Sequence, residues 1–303
     1  MSKNLFQTPP RKKNIKKKQK YRKYEENENE DYIPIGGYYE DWSYTSNWKE
    51  YQIKSLNINL FDTEENIFFS KYNKVDIKYF EGYDEFIDPN LTRESITKGT
   101  FAYSKEMTKN TITLGGLLYQ VYKSKNQLNP ETFVDSVVHQ MLSMLGFGCD
   151  GFLFRQKPKW SFMYNELEII SEADFGVYRI DSEEPLFTLV EESKKLEASY
   201  TEGKYQIVGE LFVHGYKSYL SKKDIIDIFG IKIRGFDVSF YRGIFPKEYY
   251  NDIDNGFLPK EEKCEIKRLI LNNGKHSFDL SKPEERKIIA DIIMKIRSIM
   301  FYL

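Results

Sequence analysis

After Asn129-Pro130 the apolar residues alternate between helical and strand spacing, and this order limits the folds open to the chain. Val134, Val137, Val138, Met141, Leu142 and Leu145 form one helical stripe that Gly146 ends, with Asn129 placed as N-cap and Pro130 at the first helical position. Three strand-like segments follow, at about Phe162–Ile170, Ala173–Ile180 and Leu186–Lys194, the last two separated by the Asp181–Pro185 break. A helix is expected from about Glu202 to Leu220, with Ile207, Val208, Leu211 and Phe212 on its buried side. Two strands, Gly230–Arg234 and Asp237–Phe245, precede a closing helix at Pro283–Phe301, in which Ile288, Ile289, Ile292, Ile293, Ile296 and Ile299 are spaced to dock on a core. Helix, three strands, helix, two strands and helix predict an α/β chain.

The rest of the chain is less periodic. Residues 32–125 are rich in aromatics, among them Tyr38, Tyr39, Trp42, Tyr44, Trp48, Phe68 and Phe69, and read as an N-terminal extension or small subdomain. Ile53–Leu60 and Lys74–Phe80 alternate like strands, and Ile112–Tyr122 fits a strand or a short helix. Aromatics can stack on bases, but without a basic groove beside them ordinary packing is the better reading. Residues 1–31 hold too little apolar surface to offset the entropy of ordering and read as a disordered tail.

Charge separates that tail from the body. Residues 1–24 carry ten basic side chains and no acidic one, so removing them from a net charge of -1 leaves -11 for the remainder. The cluster Arg11–Lys23 fits a nuclear-import receptor, a phosphate anchor or a solubilising tail, and the acids from Glu25 to Asp31 offer it an internal counterweight. Two cysteines and three histidines exclude a disulfide framework and zinc-finger spacing. No apolar run approaches the length of a membrane span, so neither membrane insertion nor ordinary secretion is expected. Chemistry must then rest on carboxylates, lysines and hydroxyls.

One segment concentrates such groups. The third predicted strand runs from Leu186 to Val190 and then into Glu191-Glu192-Ser193-Lys194, where the two-residue period puts Glu192 and Lys194 on one face. Asp174, in the preceding strand, is expected opposite Glu192 across a hairpin. A carboxylate from each of two adjacent strands makes an oxygen-rich pocket of the kind Mg²⁺ takes, and an adjacent ammonium can orient a water or offset charge on a phosphoryl oxygen.

Asp174 followed by Glu192-Ser193-Lys194, in this element order, resembles the PD-(D/E)xK nuclease superfamily. Gln206–Leu211, Gly230–Arg234, Val238–Tyr241 and the closing helix are similar to the nuclease-like domains of fungi and oomycetes, some fused to Crinkler-type effectors. The resemblance covers residues 126–303 and implies a restriction-endonuclease-like αβββαβ core, a mixed central sheet flanked by helices. It implies Asp174 and Glu192 as ligands of Mg²⁺ (or Mn²⁺), Lys194 as the residue that positions the attacking water, and Gln206 as a brace. An acid from the helix before the sheet often completes the set in that family, which points to Glu131. Ala173 stands where the named motif has proline. The implied activity is phosphodiester hydrolysis with DNA ahead of RNA as substrate, in the nucleus or otherwise the cytoplasm, including that of a host cell. An inactive interaction module that binds a nuclear protein or nucleic acid is the alternative.

Each residue also has a plainer reading. Glu-x-Lys arises by chance in a charged chain, and an acid in the first turn of a helix, like Glu131, is favoured by the helix dipole. Gln206 and Glu210 share a helical face that can simply be exposed. His139 and Asp135 lie off the apolar stripe, as surface residues would. Glu172 can extend the acidic pocket or mark a turn. Tyr241 and Arg242 can meet a phosphate or only decorate an edge strand. Because the body is acidic, nucleic-acid binding requires basic residues gathered on one face or help from the tail.

Overall fold

In the computed structural model, the described residues are 42–124, 131–164, 167–180, 185–191, 204–220, 225–259, 263–271 and 274–301. The tail, Asn129, Pro130, Glu192 and Lys194 lie outside them. The chain is α/β. Among the described residues, eight strands form one mixed sheet in the order β1-β9-β8-β7-β6-β5-β2, with β10 paired to β8. These strands are β1 (Ile58–Glu64), β2 (Phe152–Gln156), β5 (Phe175–Arg179), β6 (Pro185–Glu191), β7 (Ile225–Arg234), β8 (Asp237–Pro246), β9 (Cys264–Ile270) and β10 (Phe278–Asp279). β3 (Lys159–Tyr164) and β4 (Leu167–Glu172) make a separate antiparallel hairpin. The longer helices are α1 (Lys109–Lys123), α2 (Glu131–Met144), α3 (Lys204–Tyr219), α4 (Lys247–Asp254) and α5 (Pro283–Met300).

The sheet is a middle layer. Phe229, Ile231 and Ile233 of β7 alternate onto one face and join Phe175, Val177, Phe240 and the apolar stripes of α1, α2 and α5 in a single core. The opposite face of β7 carries Ile228, Gly230, Lys232 and Arg234, and α3 covers only its apolar part. Gly230 permits the close approach, since a Cβ there would lie 3.2 Å from Leu211 and 3.3 Å from Ile207. β6 and β7 are parallel, joined through α3, while β2, β5 and β6 are successively antiparallel. The C-terminal ends of β6 and β7 therefore finish at the level where α3 begins.

Several expectations change. The first strand of the sheet after α2 is β2, and the segment expected in that place, Phe162–Ile170, instead belongs to the β3–β4 hairpin on the α3 side. β2 (Phe152-Leu153-Phe154-Arg155-Gln156) does not alternate whereas β3 and β4 do, and periodicity carries no information about pairing partners. Ile53–Ser55 ends a short helix, Glu50–Ser55, rather than opening a strand. Ile112–Tyr122 is helical, within α1. Lys74–Phe80 forms no strand. Its Val75, Ile77 and Phe80 pack on the core, and Lys78 N–H bonds the Ser298 hydroxyl at 2.9 Å instead of a neighbouring strand. The aromatic third is integral to the sheet: β1 pairs in parallel with β9, from Ile58↔Cys264 to Glu64↔Ile270. Trp42 and Trp48 are buried, as the packing reading required.

β8 is an interior strand between β7 and β9, so Arg242 does not decorate an edge. It is fully buried, donates to both carboxylate oxygens of Asp227, with Nε–Oδ1 at 2.8 Å, and also bonds the Phe68 carbonyl. A guanidinium committed in this way serves the core rather than a phosphate.

Candidate functional site

Asp174 sits in the bend between β4 and β5, half-buried, and its carbonyl accepts from Lys157 N–H at 2.8 Å. β5 pairs with β6 through Phe175↔Leu189 and Gly176↔Thr188. The paired register ends at Phe175↔Leu189, one residue short of Asp174, and the expected partner Glu192 lies outside the described residues. Glu192 and Lys194 lie outside the described residues, three positions or fewer beyond the end of β6 at Glu191. Glu131 is the first residue of α2, in the layer across the sheet from α3.

Gln206 and Glu210 are neighbours on α3, but the exposed reading fails for Glu210. Its carboxylate is buried between α3, β4 and the 45–47 turn, accepting from Thr45 Oγ1 at 2.9 Å and from the Ser171 hydroxyl, with the Gln206 amide as a further partner. Ser171 Oγ also lies 3.3 Å from His214 Nε2, and Trp160 meets the His214 ring edge-on at 4.1 Å. Burial is the main cause that pushes the Glu210 carboxyl up to about 7; the Ser171 and Thr45 hydrogen bonds oppose it and the charge of Asp174 adds to it. Burial likewise pushes the His214 imidazole down to about 3.

These shifts predict a pH signature. Glu210 titrates higher folded than its ordinary 4.5, so the stability it contributes is complete below pH 4.5 and is lost as pH rises through about 7. His214 acts in the opposite sense: its contribution is complete above pH 6.5 and fades as pH falls toward 3. Glu210→Gln removes only the first effect. Relative to wild type, its stability should therefore improve from pH 5 to pH 8 by roughly 3 kcal/mol, each pK unit being worth about 1.4 kcal/mol. Urea denaturation of both proteins at the two pH values measures this, and a pH-independent difference would contradict it.

Beyond the N-terminal end of α3 the same sheet face becomes polar. A small depression, partly open to solvent, is lined by Lys204, Lys232, Arg234, Asp237, Ser239, Tyr241, Arg268 and Ser277. Strand register gathers them: Lys232↔Ser239, Arg234↔Asp237 and Tyr241↔Arg268 are direct cross-strand pairs. Arg268 also forms a two-pronged ion pair with Asp62 at 2.6 and 2.7 Å. Of these residues the sequence singles out only Tyr241 as one that can meet a phosphate. A signal existed in Lys232-Ile233-Arg234, where charge replaces the apolar residues of one face late in a strand.

As donors for a metal, Asp174 and Gln206 offer oxygen, which suits a hard cation. Among the described residues no three acids, histidines or cysteines cluster to hold an ion. Glu172 is exposed at the end of β4, opposite Lys159, and His139 is exposed with its ring edge-on to Phe154 at 4.9 Å. No helix among the described residues is long and apolar enough to cross a membrane.

No family model and no curated protein matches this sequence. Among solved structures, the one described as "Crystal structure of SSO0001" is 12% identical, covering 54% of this chain and 84% of that chain with a TM-score of 0.23. At that score the likeness carries no argument about fold or activity.

Proposed function

We propose that this protein is a metal-dependent nuclease of the PD-(D/E)xK type, with a restriction-endonuclease-like core, that hydrolyses phosphodiester bonds in DNA. The observation that supports it is the run α2–β2–β5–β6–α3–β7, an αβββαβ order interrupted only by the β3–β4 hairpin. Asp174 immediately precedes the second strand of that run, and β6, the third, stops at Glu191 with Glu192-Ser193-Lys194 next in sequence. Gln206 stands in the first turn of α3, on the crossover between the parallel strands. Ligand sites in α/β sheets favour this margin, outside the carboxyl ends of parallel strands. Fold alone does not fix function, so the proposal rests on these acids and the lysine.

Asp174 and Glu192 would hold Mg²⁺ or Mn²⁺, which supplies Lewis-acid polarisation of the phosphate and a more acidic water. Lys194 orients the attacking water and offsets charge on the phosphoryl oxygens. Gln206 bonds Glu210 and so keeps its amide on the site side of α3. The cationic pocket meets the need for a basic face in an otherwise acidic body.

Purified full-length protein should nick and linearise plasmid DNA in Mg²⁺ or Mn²⁺ and stop in EDTA. Absence of cleavage of DNA and RNA in both metals overturns the proposal. Retained nucleic-acid or protein binding under those conditions would then favour an inactive interaction module.

A further inference from the structure

We infer that Glu210 is a positioning residue that fixes the β4–β5 bend, which carries Asp174, against the first turn of α3, which carries Gln206. The inference rests on the nuclease reading for the reaction those two residues serve, while the arrangement itself stands on separate observations. Glu210 is buried in α3, one turn after Gln206, and its carboxylate gathers three segments of the chain. Thr45 Oγ1 of the 45–47 turn donates at 2.9 Å, the Ser171 hydroxyl of β4 donates as well, and the Gln206 amide is the third partner. Thr45 and Ser171 are themselves buried, so both of their bonds are shielded from solvent.

Ser171 links Glu210 to Asp174. Only Glu172 and the fully buried Ala173 separate the two, and on the other side the Asp174 carbonyl accepts from Lys157 N–H at 2.8 Å. The bend is thus held twice, through its own backbone and through the Ser171 hydroxyl, and the Asp174 charge is felt at Glu210. One turn further along α3, His214 Nε2 lies 3.3 Å from the same hydroxyl, so the helix meets it at two successive turns. The 45–47 turn can come this close because α3 has glycine at 209, where a Cβ would lie 2.9 Å from side-chain carbons of both Thr45 and Trp48. Trp48 then packs on Phe212, ring centroids 5.6 Å apart. Stability does not call for an acid at this position. The neighbouring buried residues Ile207, Val208, Leu211 and Phe212 are apolar, and an apolar side chain of similar length would avoid the desolvation cost. What the carboxylate adds is direction, since its two oxygens fix donors from separate parts of the chain. Partners that orient the residues of a metal site in this way are worth about 10- to 100-fold in metal affinity or activity.

The test compares amide hydrogen exchange of the full chain, in EDTA, for wild type, Glu210→Met and Glu210→Gln. In Glu210→Met the amides of residues 171–176 and of Lys157 should exchange about tenfold faster or more, with those of β7 unchanged, because an opening confined to the bend leaves the sheet intact. Glu210→Gln keeps an oxygen acceptor on the same stem and should stay within about threefold of wild type. Mn²⁺ binding without DNA, followed by electron paramagnetic resonance, should weaken by about tenfold or more in Glu210→Met and recover in Glu210→Gln. If Glu210→Met does not fold, Ser171→Ala, which deletes one hydroxyl, carries the test and should accelerate exchange at Lys157 in the same direction. Unchanged exchange in the bend overturns the inference. So does acceleration that spreads over β7 with a lower urea midpoint, the mark of a structural role alone, and so does local acceleration that leaves Mn²⁺ affinity as it was. Wild type that takes up no Mn²⁺ and leaves DNA uncut ends the nuclease reading instead, and the exchange data alone then uphold or overturn the hold of Glu210 on the bend.

Discussion

Asp174→Asn is expected to lower metal-dependent DNA cleavage by roughly 10²- to 10³-fold, the usual loss when one preorganised charge-stabilising group is removed. Asparagine keeps the shape and one carbonyl oxygen of the side chain but loses the anionic charge. The substitution should not weaken the fold. The Asp174 charge is among the causes that raise the Glu210 carboxyl, so neutralising it relieves a like-charge interaction. Thermal melts at pH 8 should show Asp174→Asn at least as stable as wild type, and the Glu210 titration should move down toward the ordinary carboxyl range. A fall in activity together with a fall in melting temperature would mark a structural role for Asp174. Full activity in the variant would remove it from the metal site. Lys194→Gln should lose activity by a similar factor.

Arg286→Met should produce the largest loss of stability. Arg286 is completely buried in the first turns of α5 and donates to four carbonyls: Phe86 at 2.8 Å, Leu280 at 2.9 Å, Asp88 at 2.7 Å and Leu91 at 2.9 Å. One guanidinium thus ties the 86–91 segment and the turn after β10 to the last helix. Methionine fills much of the volume but leaves these acceptors without that donor. Each buried unsatisfied group costs about 1–3 kcal/mol, and because the losses share one site, roughly 4 kcal/mol in total is expected. In urea this appears as a lower midpoint with little change in slope. Arg286→Lys, with a single ammonium in place of a fork, should recover only part of the loss. A change below about 1 kcal/mol would show that the carbonyls find other partners, since ordinary surface substitutions already span half that range.

Local spacing was enough to define α2, α3 and α5 and the strands β5, β6 and β8, because the period of apolar residues directly reports which side of an element is buried, whereas Asp174 and Gln206 were singled out with the help of a family resemblance. It did not separate the off-sheet hairpin β3–β4 from the true first strand β2, and it missed the parallel pairing of β1 with β9 across some two hundred residues. Pairing is a property of two segments at once, and neither segment encodes the other's position. The burial of Glu210 followed the same logic, since Thr45 and Ser171 come from distant parts of the chain. The cationic pocket exists because three strands align Lys232, Ser239, Tyr241 and Arg268 in register. Sequence determined which residues alternate; only tertiary structure decided which strands align and so which side chains meet, because pairing joins segments far apart in the chain.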